Sequence, residues 1–369
     1  MVRYKLVGGK NDVCHKPVII HPAPKRVIAI GDIHGDMDLM LNCLKIGGLI
    51  KEASEGVPLI YLDGTKKHFK WTGKDTVVVQ VGDQVDRCRP YYNMFESKHA
   101  ACIDPATTYE DESSDEKIMR FMTQLHHAAK KDGGAVFSLL GNHELLNAMG
   151  NMDYVSYLGL KEYTPENTAV DSKGRKKYFE RGSEMSKFLA CTRSAMIVVG
   201  SHMYVHGGFL STVLDGYEKK DKMEIIKDLN DIVQLWLSDK NFNSTKIGKL
   251  VTGINSPFWV RGLGNLAPNL PRDHGNCKDY TQVLDYFNIN GMVIGHTPQL
   301  DIGINSTCGN SLFRVDVASS KAFNNAFKHQ NVSDKVMAKI NKSRVPQVLE
   351  ILDDNKFSII NETCRTPLN

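Results

Sequence analysis

Three short apolar runs in the first 150 residues each stop at a glycine followed by residues able to bind a ligand. Residues 26–33 (RVIAIGDI) lead into Asp32 and His34, residues 76–81 into Asp83 and Asp86, and residues 135–140 into Asn142 and His143. Short apolar runs bounded by turn signals read as fully buried strands. After the first run, Met37, Met40, Leu41, Leu44 and Ile46 recur at helical spacing. Strands alternating with helices imply an α/β fold. In such sheets ligands bind outside the carboxyl ends of the strands, so the pattern points to one site built by three strand ends.

The second half is richer in strands. Residues 195–199 and 203–206 read as a hairpin across Gly200-Ser201, and further strands are expected at 291–294, 312–317, 348–352 and 356–360. The last two are joined by Asp353-Asp354-Asn355, a plausible hairpin turn. Before the third run, the acidic stretch 110–116 (EDESSDE) reads as the solvated start of a helix reaching Lys131. Ser113 and Glu116 fit a capping box, with Ile118, Met122, Leu125 and Ala129 on one face. An acidic run can also bind a cation, but a solvated helix start is the commoner outcome. Residues 1–24 form an N-terminal extension, 25–362 a single domain with insertions near 88–116 and 147–190, and 363–369 a C-terminal tail. Segment 321–344 carries six basic residues against Asp334 and reads as a solvated surface loop, with guidance of an acidic partner as the alternative.

Composition removes several classes. With 41% hydrophobic and 24% charged residues the chain is that of an ordinary globular protein and not a disordered one. A net charge of +4 does not mark a dedicated nucleic-acid binder. No apolar run approaches the roughly 18 residues of a membrane-spanning helix. The eight cysteines show no CxxC spacing, so neither a metal knuckle nor a disulfide framework is expected. The first ten residues lack the apolar core of a signal peptide, so the chain reads as intracellular and cytoplasmic.

The strand ends collect Asp32, His34, Asp83, Asp86, Asn142 and His143, and later strands add His206 (VHGG) and His296 (GHTPQ). Carboxylates, imidazoles and one amide suit transition metals and not calcium, which prefers oxygen shells. Absence of cysteine among them argues against a structural zinc site. Six donors, namely Asp32, His34, Asp83, Asn142, His206 and His296, exceed the needs of one tetrahedral ion. They suit two ions sharing a bridging carboxylate, an arrangement that activates water for attack on phosphorus. Taken singly, each has a bland reading, since Gly-Asp after a strand is a common turn. His202, on the face of His206 by the period of two, reads as structural.

In order, GDIHGD, GDQVDR, GNHE, VHGG and GHTPQ resemble the phosphoprotein phosphatase branch of the calcineurin-like metallophosphoesterases. The segments FWVRGL (258–263), VIGHTPQ (293–299) and FRVDVASSKAF (313–323) are similar to its bacterial-type subgroup, the Shewanella-like protein phosphatases. The resemblance spans roughly residues 25–325. It implies a four-layer α/β/β/α sandwich with two mixed sheets and a centre of two metal ions, manganese, iron or zinc. It assigns Asp32 and His34 to the first ion, Asp83 to both, and Asn142, His206 and His296 to the second. It makes His143 the general acid oriented by Asp86, with Arg87 and Arg261 clamping the phosphoryl oxygens. A metal-bridging hydroxide would attack phosphorus directly, and a positioned acid is worth typically about 10²–10⁴ in rate.

One departure stands out: Cys88 replaces the glycine that usually follows the VDR motif, and it reads as a small buried residue more readily than as a redox-sensitive thiol. The SAPNY-type segment of toxin-sensitive members has no counterpart, so weak toxin inhibition is expected. The leading expectation is a metal-dependent phosphomonoesterase acting on phosphoproteins or phosphopeptides. Its alternatives are a diadenosine-tetraphosphate hydrolase, which shares GDxHG and GNHE, and a catalytically idle binding scaffold.

Overall fold

The central strands read as unbroken apolar runs because both of their faces are buried. The computed structural model describes residues 3–5, 11–13, 17–53, 60–61, 68–215, 221–329 and 333–368. In strand Arg26–Ile30, Val27 and Ala29 face a second sheet, where they meet Ile197, Val199, Tyr204, Val293 and Phe313. Ile28 and Ile30 face outward and pack beneath helices Met37–Ile46 and Asp115–Lys131 through Met40, Leu44, Ile118, Met122 and Leu125. Burying such side chains stabilises the fold by about 1.5–3 kcal/mol each relative to leaving them exposed.

The first sheet has seven strands in the order Arg193–Ser194, Ala135–Leu139, Val77–Gln80, Arg26–Ile30, Gln347–Leu352, Lys356–Asn361 and Arg365–Leu368. Its first four strands are parallel, and Gln347–Leu352 pairs antiparallel with Arg26–Ile30. The second has six, in the order Asn305–Thr307, Leu312–Arg314, Gly291–Ile294, His202–Val205, Met196–Val199 and Ile20–His21. There the parallel core is Leu312–Arg314, Gly291–Ile294 and His202–Val205. Met196 and Val198 point away from the first sheet onto helices Lys222–Ser238 and Lys278–Phe287, which supply Ile225, Leu229, Val233, Val283 and Leu284. The result is the four-layer α/β/β/α sandwich, with the carboxyl ends of both parallel cores carrying the residues singled out above.

Several expectations need correction. Ser113 and Glu116 do not form a capping box. Ser113 Oγ donates to the Leu158 carbonyl and to Glu162, while Glu116 pairs with Arg120 and accepts from Tyr163 and Tyr178. The acidic stretch is not a solvated helix start, because Ser114 and Asp115 are buried and Asp115 meets Arg175 at 2.6 Å. Its cover comes from segment 151–190, which forms helices Tyr157–Lys161, Lys173–Phe179 and Glu184–Thr192. Segment 321–344 is helical over Asn324–Lys328 and Asp334–Ser343, and not a loop. Lys321 pairs there with Asp38 and Glu110, and Arg344 donates to the carbonyls of Ala318 and Ser320.

The cysteines are the largest departure. Cys88 is disulfide-bonded to Cys102, and Cys277 to Cys308. Spacing alone hides such pairs, since each joins a loop to a segment folded back on it. Disulfides persist in oxidising surroundings, so these pairs count against the cytoplasmic expectation. Among the described residues no helix is long and apolar enough to cross a membrane. The Cys88–Cys102 bridge joins residues 14 positions apart, a loop for which chain entropy predicts about 3 kcal/mol. A Cys102→Ser variant is expected to lose stability of that order in urea unfolding; an unchanged midpoint would show that the bridge contributes nothing.

Candidate active site

The loops after the parallel strands hold their backbone in an uncommon conformation. His34, Asp83, Asp86 and His296 all have positive φ (47°, 52°, 73° and 65°), a left-handed region that costs a non-glycine residue of order 1 kcal/mol or more. Such strain persists where surrounding contacts over-determine it. Two glycines permit the approach of the loops: a Cβ on Gly141 would collide with Asp83, and one on Gly295 with Asp32. The Glu144 carboxylate then ties the loops together, accepting N–H groups from Asp83 (3.0 Å), Gln84 (2.8 Å), Val85 (3.3 Å) and Gly141 (2.6 Å).

Three imidazoles are fixed by backbone carbonyls. His34 donates through Nδ1 to Val85, His206 through Nδ1 to Val81, and His296 through Nε2 to Trp259, at 3.2, 2.9 and 3.1 Å. A carbonyl can only accept, so in the neutral ring the other nitrogen carries a lone pair. This is the support that metal-binding histidines characteristically have. Those free nitrogens converge on Asp83. Its Oδ2 lies 3.7 Å from His34 Nε2 and 3.3 Å from His206 Nε2. Asn142 Oδ1 lies 2.9 Å from both His206 Nε2 and His296 Nδ1, and Asp32 Oδ2 lies 3.8 Å from His34 Nε2. Among the described residues two groups of metal-ligand type share Asp83, one with His34 and the expected acid His143, the other with His206 and His296; Asp32 adjoins the first and Asn142 the second.

The electrostatics call for cations. Burial, with repulsion from Asp316 and Asp83, holds the Asp32 carboxyl well above the usual carboxylate range. Burial pushes Asp83 the same way, but His206, His143 and His34 overcome it and hold it well below that range. Burial drives His34 well below the ordinary histidine value, and burial with the neighbouring His206 and Arg261 takes His296 down to about 2. His206, buried too, is pulled upward by Asp83. Asp316, which closes strand Leu312–Arg314 on the same edge, is raised to about 6 by burial, and its Oδ2 has no hydrogen-bond partner among the described residues. Lone pairs from carboxylate, amide and imidazole donors converging without enough protons among them fit divalent transition metals.

His143 differs from the three other imidazoles. Its Nδ1 lies 2.6 Å from Asp86 Oδ2, a carboxylate in place of a carbonyl, and its Nε2 lies 3.9 Å from Asp83 Oδ2. Asp86 is held in turn: its Oδ1 accepts from Asn147 (2.8 Å), Asn147 accepts from Arg175 (2.9 Å), and Arg175 pairs with Asp115. The inserted helix Lys173–Phe179 thus steadies the dyad from behind.

A cavity of about 360 Å³ opens over these groups, lined by His34, Asp83, Asn142, His143, His296 and Arg261. Arg261 donates to the His296 carbonyl at 2.8 Å. Arg87 is not brought there: it is fully buried, with Nε 3.3 Å from Glu112 and Nη2 donating to the carbonyls of Tyr109 and Glu110. His202 lies apart, 3.1 Å from Asp354. Arg89, Tyr154, Trp259, Asp316 and Phe323 also line the cavity, and the sequence reading assigned none of them a role. Trp259, Asp316 and Phe323 lie in the segments 258–263 and 313–323 that carry the resemblance, whereas Arg89 and Tyr154 arrive from loops without periodicity.

Residues 25–300 match the model of the calcineurin-like phosphoesterase family. An uncharacterized protein of Acanthamoeba polyphaga mimivirus is 38% identical over 272 residues, covering 66% of this chain and 98% of the viral one. Shewanella-like protein phosphatase 2 of Arabidopsis thaliana is 26% identical over 340 residues, covering 81% and 72%. Among solved structures, the cold-active protein-tyrosine phosphatase of a psychrophilic Shewanella superposes with a TM-score of 0.63 at 19% identity, covering 100% of this chain and 90% of that one. That likeness bears on the fold.

Replacing Glu144 by Gln would set an NH₂ group against backbone N–H donors, leaving two of them unpaired. Each orphaned buried donor costs about 1–3 kcal/mol, so Glu144→Gln is expected to lower stability by that order and to weaken Mn²⁺ binding through a displaced Asp83. Urea unfolding and calorimetric titration with Mn²⁺ measure both, and wild-type values in both would refute this role.

Proposed function

Because this chain belongs to the calcineurin-like phosphoesterase family, we propose that it is a metal-dependent phosphomonoesterase that removes phosphate from phosphoserine or phosphothreonine in proteins, with phosphotyrosine as a further substrate. The observation that carries the reading is the shared Asp83 carboxylate, with back-bonded imidazoles on either side and the His143–Asp86 pair 2.6 Å apart beside it. Asp32, His34 and Asp83 would hold one ion, and Asp83, Asn142, His206 and His296 the other. Bound there, two ions of manganese, iron or zinc would supply Lewis acidity and a coordinated water of lowered pKa.

The chain's own residues do the rest. Asp86 accepts the hydrogen bond from Nδ1–H of His143 and stabilises its imidazolium form, whose Nε2–H faces the cavity and passes its proton to the departing alkoxide, leaving the neutral ring. Arg261, anchored on the His296 carbonyl, offers its remaining N–H groups to the phosphoryl oxygens. Tyr154 packs edge-on against His143, with ring centres 4.9 Å apart, and limits the directions from which the leaving group can approach. The aromatic rim of Tyr154, Trp259 and Phe323 provides apolar surface for the carbon skeleton of a phosphorylated side chain.

The test is an assay with Mn²⁺ on phosphoserine, phosphothreonine and phosphotyrosine peptides beside diadenosine tetraphosphate. Phosphate release from peptides is expected, with His143→Asn lowering kcat by about 10²–10⁴ and Asp86→Asn lowering it less. Cleavage of the dinucleotide alone would refute the protein substrate. Full activity in His143→Asn would refute the acid.

A further inference from the structure

The VDR motif ends in an arginine that the fold has turned away. Arg87 is enclosed by Glu112 and two carbonyls, and bringing it to the cavity would strand all three. Two residues further on, Arg89 faces the cavity instead. Its guanidinium stands between two rings, 4.6 Å from the centre of Phe323 and 5.6 Å from that of Tyr154. These rings in turn contact the site: Phe323 lies 5.6 Å from the ring of His34, and Tyr154 4.9 Å from that of His143. Arg89 is therefore one ring away from an expected metal ligand and from the expected acid.

Only one edge of the guanidinium is used within the protein. Nη1 donates to the carbonyls of Asp86 (3.1 Å) and Cys88 (2.8 Å). Among the described residues, Nε and Nη2 make no hydrogen bond and no carboxylate forms an ion pair with Arg89. Burial lowers the Arg89 guanidinium below its ordinary value, and the charges of Asp83, Asp86, Asp316 and Asp32 work against that and favour its cationic form. A stacked, anchored arginine with a free edge loses little freedom on gripping a planar or tetrahedral oxyanion. Arg261 approaches from the His296 side and Arg89 from the Asp86 side, so the two flank the cavity.

We propose that Arg89, and not Arg87, is the second phosphoryl-binding arginine of this site. The assignment rests on the phosphoesterase reading above but not on which phosphoester is cleaved. Arg87 is then a structural residue that joins the VDR loop to the 109–112 segment.

Binding of inorganic phosphate to the Mn²⁺-loaded chain, followed by calorimetry, tests this without any choice of substrate. Metal content and thermal melting are recorded for every variant. Arg89→Ala is expected to weaken phosphate binding by about tenfold or more while keeping its metal. With a phosphothreonine peptide, KM should rise along with a fall in kcat. Arg89→Lys should recover part of the affinity, because charge remains but the fork is lost. Arg87→Met should melt at a lower temperature yet bind phosphate nearly as wild type does. Unchanged phosphate binding in Arg89→Ala, or an equal loss in Arg87→Met, overturns the assignment, as does a wild-type chain that binds no phosphate. If phosphate binding follows Arg89 but no phosphopeptide is cleaved, the arginine assignment stands and the protein-phosphatase reading falls.

Discussion

The site hangs on the Asp83 carboxylate. Its Oδ2 is the atom on which imidazoles from both sheets converge, and its Oδ1 accepts the backbone N–H of His143 at 2.9 Å. Its own N–H is held by Glu144, and its φ of 52° is one that few side chains adopt. These constraints come from several strand ends, with His143 and Glu144 both supplied by the helix after strand Ala135–Leu139. None would hold alone, because a strained loop bearing a buried carboxylate relaxes unless its neighbours are fixed. The two sheets supply that rigidity: their parallel cores end on the same edge, and the apolar layer between them leaves little room to slide.

Around this hub the chain has arranged its charges in layers. Histidines meet Asp83, backbone carbonyls orient His34, His206 and His296, and the Asp86–Asn147–Arg175–Asp115 chain steadies the imidazole of His143. Segment 151–190 supplies Tyr154 to the cavity and Arg175 to the network, so the insertion belongs to the chemistry as much as to the shape. The Cys88–Cys102 bridge and the Cys88 N–H bond to the Tyr154 carbonyl pin the loop that carries Arg89 against that insertion. Where a glycine would ordinarily follow the VDR motif, the cross-link stabilises the turn by other means.

Much of this was legible beforehand because the signal lay in strands. Strands buried on both faces must be apolar throughout, so their ends stand out, and Asp32, Asp83, Asn142, His206 and His296 all follow such ends. The strand Gly291–Ile294 has the very limits its pattern predicts, since a glycine and a GHT turn bracket it. Loop geometry was not legible. Nothing in EDESSDE announces that Asp115 is buried by an arginine sixty residues later, and nothing in VDRCR says which arginine faces inward. Those outcomes depend on long-range packing, on pairs such as Arg87–Glu112 and on a disulfide whose partners lie in a loop without periodicity.

The central claim is that Asp83 is shared by two metal ions. Anomalous diffraction from crystals grown with Mn²⁺ tests it most directly. The account predicts two anomalous peaks about 3.5–4 Å apart, one toward Asp32 and His34 and the other toward Asn142, His206 and His296, with Asp83 touching both. A single peak, or two peaks that do not share Asp83, would contradict it.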